Sequence, residues 1–152
     1  MIPREHLRTL IEHRGAMFLL DDVLEWDDTR VTCTATSHRD SANPLRRAGA
    51  LAAVHLIEYG AQAMALHHGL QAEVTGEERI PGWLVAVKGL ELKVSRLDGV
   101  ESPLVVTARC LLVYAGGLLY EFTVEAGGNR LASGRISAVS ARRQPLDIQS
   151  DK

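Results

Sequence analysis

One stretch decides the fold: His55-Leu-Ile-Glu-Tyr-Gly-Ala-Gln-Ala-Met-Ala-Leu-His67-His68. Its apolar neighbours recur at helical spacing, and Ala50, Val54, Ile57, Ala61, Met64 and Ala65 define an inward face about two residues wide per turn. The pattern predicts a long helix from about Gly49 to about His68, with Gly69 as its C-cap. A carboxylate, Glu58, sits at the edge of that face. His55 precedes it by one helical turn and Gln62 follows by another, so the three polar side chains form one row along the helix. A polar row in so apolar a helix marks a candidate site.

Before the helix, Leu7, Leu10 and Ile11 at helical spacing, with Pro3 in the first turn, predict a short helix. Met17 to Leu24 reads as a strand. In the next segment Val31, Cys33 and Ala35 alternate with Thr32, Thr34 and Thr36, a half-buried strand with strong β formers on its wet side. A polar loop from Ser37 to Arg47 contains Asn43-Pro44. After a linker around Thr75-Gly76-Glu77-Glu78 come strand candidates at Trp83 to Leu97, Leu104 to Tyr114, Leu118 to Glu125 and Arg130 to Val139. Ala115-Gly116-Gly117 and Ala126-Gly127-Gly128-Asn129 punctuate them as tight turns, which predicts an antiparallel meander. The order implies an α+β class, a sheet packed around one long helix, with residues 1–141 as one domain and 142–152 as a loosely held polar tail.

Composition bounds the function. The chain has 152 residues, 46% hydrophobic and 5% aromatic, with a net charge of -2. That describes an ordinary soluble protein whose core is filled by Leu, Val and Ala, and it gives no basic footprint for nucleic acid. No run approaches the roughly eighteen apolar residues of a membrane span, and Met1 to His6 lacks the apolar core of a secretory signal, so the expected compartment is the cytoplasm. Cys33 and Cys110 lie in separate strand-like segments and are expected as reduced core residues.

The segment His13-Arg-Gly-Ala-Met-Phe-Leu-Leu-Asp21-Asp-Val-Leu-Glu25 resembles the opening "Pro-His-Arg-x-Pro-x-Leu-Leu-x-Asp-x-Val" of the β-hydroxyacyl-acyl-carrier-protein dehydratases. Glu58-Tyr59-Gly60-Ala61-Gln62 resembles their central-helix "Glu-x-x-Ala-Gln" signature, and Pro81-Gly82-Trp83 to Leu92 resembles the strand that follows. The likeness spans residues 10 to 140 and is nearest to the subgroup encoded with aryl polyene clusters. It implies a hot-dog fold, a long helix wrapped by a curved antiparallel sheet, with protomers paired edge to edge as a homodimer or higher oligomer.

The resemblance also implies a chemistry. A histidine removes the C2 proton of a 3-hydroxyacyl thioester, the helix carboxyl protonates the departing 3-hydroxyl, and backbone N–H groups near the helix N-terminus, at Gly49, polarise the thioester carbonyl. Glu58 occupies the carboxyl position. The substrate arrives on the phosphopantetheine of an acyl carrier protein, or as a coenzyme A thioester, and no resident cofactor or metal is needed. Where the family carries a "His-Phe-Pro-Gly" loop, this chain has Asn43-Pro44-Leu45. An amide cannot take a carbon-bound proton, so Asn43 is expected to orient a substrate oxygen, and His55 or His38 is left as the base.

Other residues have competing readings. Glu58 can be the tunnel carboxyl or the partner of Arg46 or Arg47. Gln62 beside the substrate path is a helix-face amide for nearby backbone groups, and Trp83 opens the strand expected to line that path. Arg46 and Arg47 can attract the phosphopantetheine phosphate or an acidic carrier surface, or simply solubilise the loop. His13 and Arg14 are assigned to scaffolding near the sheet edge. His67 and His68 are expected to interact with the helix C-terminus. Gly60, costly in a helix interior, implies close packing against the sheet. Two rivals stand beside the dehydratase: a non-catalytic hot-dog subunit whose partner chain supplies the histidine, and an acyl thioesterase.

Overall fold

The computed structural model describes residues 2–11, 17–77 and 83–140; of Trp83, Leu84, Val85 and Ser140 only the backbone is described. The expectations for His13, Arg14, Pro81, Gly82 and the 142–152 tail lie outside the described residues. The elements are α1 (Arg4–Thr9), β1 (Asp22–Trp26), β2 (Arg30–Ala35), α2 (Leu56–Thr75), β3 (Trp83–Leu92), β4 (Leu104–Tyr114), β5 (Gly117–Ala126) and β6 (Asn129–Ser140). Single 3₁₀ turns stand at Ser37–Arg39 and Ala53–His55. The strands form one antiparallel sheet in the order β1-β2-β4-β5-β6-β3, with α2 as its long helix. This is the α+β hot-dog arrangement.

Period-two alternation builds the inner face of the sheet. Val31, Cys33 and Ala35 of β2, Leu104, Val106 and Ala108 of β4, and Tyr120, Phe122 and Val124 of β5 are buried, and the threonines between them are not. Each of the larger of these side chains contributes about 1.5–3 kcal/mol by leaving water. β4, β5 and β6 form the expected meander. β3 joins the far edge of β6 rather than the near edge of β4, because the strand after the helix enters the sheet on the opposite side.

Several element boundaries differ from the sequence reading. Pairing in β1 begins only at Asp22, so residues 17–20, expected as part of a strand, lie off the sheet. Side chains satisfy their backbone instead: Arg4 donates to the carbonyls of Leu20 and Phe18 (3.1 and 3.2 Å), and Ser37 Oγ to that of Leu19 (2.8 Å). β3 ends at Leu92 rather than Leu97. The long helix starts later and ends later than expected. Arg47 and Ala50 exchange both backbone hydrogen bonds across a turn whose central residues, Ala48 and Gly49, have φ of 52° and 80°. That mirror-type turn cannot begin a right-handed helix. At the other end α2 continues through Gly69 to Thr75, and Gly76, at φ 78°, is the cap. Gly69 stays inside the helix because Leu10 packs where its side chain would be, 3.0 Å from an added Cβ.

The helix is also rotated relative to the sequence reading. Leu56, Tyr59, Gly60, Ala63, Leu66 and Leu70 form the buried stripe, with Met64 at its side. Of the residues read as inward, Met64 is buried in the core, Ile57, Ala61 and Ala65 are half-buried against its margin and Val54 is exposed, so this side of the helix is a partly open apolar flank. Gly60 provides the predicted close approach, since an added Cβ would stand 2.6 Å from the Phe122 ring.

Candidate active site

The polar row on α2 runs from open to closed. His55, the N-cap of α2, is half-buried and makes no capping bond. Glu58, one turn on, is half-buried beside Ile57 and Ala61 on the open flank. Gln62 is 1% exposed. Its Nε2 donates to Glu58 Oε2 at 3.1 Å and to the Met17 carbonyl at 2.6 Å, and its Oε1 accepts the Leu19 N–H at 2.9 Å. One amide therefore serves the off-sheet segment much as a neighbouring strand would, and presents its nitrogen to the carboxylate.

Asn43 is brought close to the next helix residue, Tyr59. Its Nδ2 donates to the Ser37 carbonyl at 2.9 Å and to Tyr59 Oη at 3.4 Å, while its Oδ1 accepts the Leu45 N–H at 2.8 Å. Tyr59 is fully buried, and its hydroxyl also bonds Ser37 Oγ at 2.8 Å. Burial pushes the phenol's pKa above its ordinary value. Asn43 thus has its donors and acceptor committed within the protein and braces the loop ahead of the helix. A cleft of about 620 Å³ opens over this cluster, lined by Ser37, Asn43, Pro44, Asp40, Arg4 and Phe18 among others.

The two loop arginines bond backbone carbonyls of their own loop. Arg46 donates to the carbonyls of Asp40, Gly49 and His38, all at 2.9 Å, and so staples the loop. Arg47 is exposed and donates to the Pro44 and Arg46 carbonyls. Gly49 lies in the mirror-type turn, well before the first residue of α2. At the helix entrance the Leu51 N–H goes to Asp98 Oδ1 and the Ala53 N–H to the Ser95 carbonyl. Trp83 opens β3 opposite Ser140, and its side chain is outside the described residues.

His38 is enclosed. Its Nε2 donates to the carbonyls of Val100 and Ser102 at 2.9 and 3.1 Å, burial pushes its pKa below the ordinary histidine value, and its Nδ1 has no hydrogen-bond partner. His67 does not sit at the helix end. It is 1% exposed in the middle of α2, donates from Nε2 to the Asp27 carbonyl at 2.8 Å and accepts the Tyr120 hydroxyl at Nδ1. Burial lowers its pKa, so it is a neutral strut rather than a cation on the helix dipole. Cys33 and Cys110 are free thiols, and burial pushes Cys33 up to about 12. Among the described residues no His, Cys, Asp and Glu cluster fits a metal, and no helix is long and apolar enough to cross a membrane.

The sequence reading missed Ser37 and Tyr59. A tyrosine beside Glu58 on an apolar helix was the available signal, but its partners come from a loop far away in the chain.

Comparison with known proteins fits this geometry. One chain of the dehydratase heterocomplex ApeI:P from Xenorhabdus doucetiae superposes with a TM-score of 0.80 at 22% identity, covering 96% of this chain and 97% of that one. The E. coli PaaI protein of the phenylacetic acid degradation operon gives 0.58 at 13% identity, covering 90% and 91%. A putative thioesterase from Syntrophus aciditrophicus gives 0.62 at 15% identity, covering 90% and 92%. These likenesses establish the hot-dog fold. No curated protein gives a sequence match. The family model for ApeP-like proteins, described as ApeP dehydratase, matches residues 5–149, and the chain belongs to that dehydratase family.

Proposed function

We propose that the protein dehydrates a 3-hydroxyacyl thioester carried on an acyl carrier protein or coenzyme A, with Glu58 as the acid. The observation that carries this reading is the Gln62–Glu58 bond on the open apolar flank of α2. Glu58 Oε2 is held by an amide that is itself fixed by the Leu19 N–H, on the flank of α2 that carries Val54, Ile57, Ala61 and Ala65. His55, half-buried one turn earlier, takes the C2 proton; the C3–O bond breaks, Glu58 delivers its proton to the leaving oxygen, and water departs. Asn43 positions the loop. Because the apolar flank of α2 is only half covered, a second hot-dog subunit, a copy or a different chain, closes the tunnel. Arg47, the more exposed loop arginine, is the residue placed to meet the phosphopantetheine phosphate or an acidic carrier surface.

A second reading is favoured by one observation. Asn43 stands at the family's histidine position and is committed to internal hydrogen bonds, which fits a subunit that relies on a partner chain for the base. Mass spectrometry of a 3-hydroxyacyl carrier protein incubated with the pure chain separates the readings. Enoyl thioester formation, lost at least about 10²-fold in Glu58→Gln, supports the dehydratase. Free carrier supports a thioesterase. Neither product, with activity appearing only when a second hot-dog chain is added, supports the accessory subunit.

A further inference from the structure

About two and a half turns of α2 beyond Glu58, three reactive side chains that the proposed dehydration does not use meet at one cavity. Cys110 of β4 and Tyr120 of β5 stand directly opposite each other in the sheet, so their side chains share one face. Tyr120 Oη bonds His67 Nδ1 on α2, and the Cys110 thiol lies against the same hydroxyl. His67 Nε2 donates to the Asp27 carbonyl at 2.8 Å, which makes Nδ1 the acceptor and turns the Tyr120 proton toward it. The Tyr120 oxygen is thereby left to accept the Cys110 S–H. His67 and Tyr120 are 1% and 2% exposed, whereas Cys110 is half-buried. All three border a cavity of about 140 Å³ with apolar walls at Val113 and Leu118. Asp28 and Glu77 also line it, and among the described residues no Lys or Arg does.

We infer that Cys110 is a thiol–disulfide exchange site for small neutral or cationic disulfides, served by a proton relay through Tyr120 to His67. The three groups are joined so that each hydrogen bond reverses rather than breaks. As the S–H proton passes to Tyr120 Oη, the Tyr120 proton passes to His67 Nδ1. The thiolate then accepts from Tyr120, Tyr120 accepts from the imidazolium, and Nε2 stays on the Asp27 carbonyl. Burial keeps His67 neutral at rest, while the charges of Asp27 and Asp28 favour its protonated form during the step. Cys110 Sγ attacks one sulfur of the disulfide, the S–S bond breaks, and a mixed disulfide forms at Cys110. The departing thiolate takes up the proton held by His67, so one thiol leaves as Cys110 is oxidised and no other oxidant is consumed. The cavity admits only a small group, and Asp28 and Glu77 repel anions. Cys33, 0% exposed with its thiol pushed up to about 12, is the internal control. The exchange site is independent of the dehydratase reading.

The test treats the full-length chain at low salt with cystamine, a dication, or dithiodiglycolate, a dianion, and maps adducts over time by mass spectrometry. Each rate is divided by that of 2-mercaptoethanol with the same reagent. The native chain should gain one adduct, at Cys110 and not at Cys33, and should favour cystamine by roughly tenfold or more. Tyr120→Phe keeps the ring and removes the relay hydroxyl. It should slow both reagents by about tenfold or more and leave their ratio unchanged, because the cavity is the same. Loss of folding cannot imitate that result, since unfolding exposes both thiols and speeds the reaction. A native adduct at Cys33 or a charge ratio near one would overturn the proposal without reference to any variant. So would a Tyr120→Phe rate equal to the native one in a chain that still spares Cys33.

Discussion

Gln62 Nε2 lies 3.1 Å from Glu58 Oε2, and the Leu19 N–H at the other end of the same amide fixes which atom faces the carboxylate. A buried N–H must have an acceptor, so the amide cannot flip without orphaning Leu19. Gln62→Leu should therefore leave the Leu19 N–H and the Met17 carbonyl without their partner. At about 1–3 kcal/mol for each of these two groups, denaturant titration should show a loss on the order of 2–6 kcal/mol. A loss below the lower figure would mean that residues 17–20 do not depend on the helix.

Gly60 is the position where α2 touches β5. An added methyl group would meet the Phe122 ring at 2.6 Å. Alanine is the better helix former by about 1 kcal/mol, yet overpacking costs about 1–3 kcal/mol in a close-packed core. Gly60→Ala is expected to destabilise the native chain and to become neutral or stabilising in a Phe122→Leu background. A double-mutant cycle with no coupling between the two sites would contradict the contact.

Ala48 holds φ at 52° without being glycine. A side chain in the left-handed region costs about 1–2 kcal/mol, part of which glycine recovers after its larger loss of chain entropy. Ala48→Gly should raise the unfolding free energy by roughly 0.5–1 kcal/mol. An unchanged or lower value would show that the turn is not strained.

The strands were legible because their alternation is clean: Val31, Cys33 and Ala35 announce one buried face without help from context. The helix was legible as a helix but not in its orientation. Leu56, Tyr59, Ala63, Leu66 and Leu70 form one apolar stripe and Val54, Ile57, Ala61 and Ala65 another, so periodicity alone offered two inward faces. Its ends were misread for local reasons. Gly69 looks like a cap but is a contact for Leu10, and the Ala48-Gly49 turn has an alanine where glycine would have signalled it. Glu58 and Gln62 were readable from spacing and resemblance together. The Asn43–Ser37–Tyr59 cluster was not, because its members meet only once the loop is folded against α2.

Two buried imidazoles make stability depend on pH. His38 and His67 are 0% and 1% exposed, and burial lowers the pKa of each below the ordinary 6.5. Above that value neither the folded nor the unfolded chain protonates them, so they impose no pH dependence. Below it the unfolded chain takes up protons that the folded chain refuses, and each histidine drains stability by up to about 1.4 kcal/mol per pH unit until its folded pKa is reached. Protonation at His67 Nδ1 would also remove the acceptor of the Tyr120 hydroxyl, while the Asp27 carbonyl still receives Nε2. Urea titrations should give a constant unfolding free energy between about pH 8 and 7 and a steady decline from about pH 6.5 toward 5, before most carboxylates titrate. His67→Gln keeps a donor for Asp27 and an acceptor for Tyr120 and has no titration, so its decline should be shallower by one histidine's share. A variant curve parallel to the native one would show that His67 protonates freely in the folded chain, and that the Tyr120–His67–Asp27 strut does not hold it neutral.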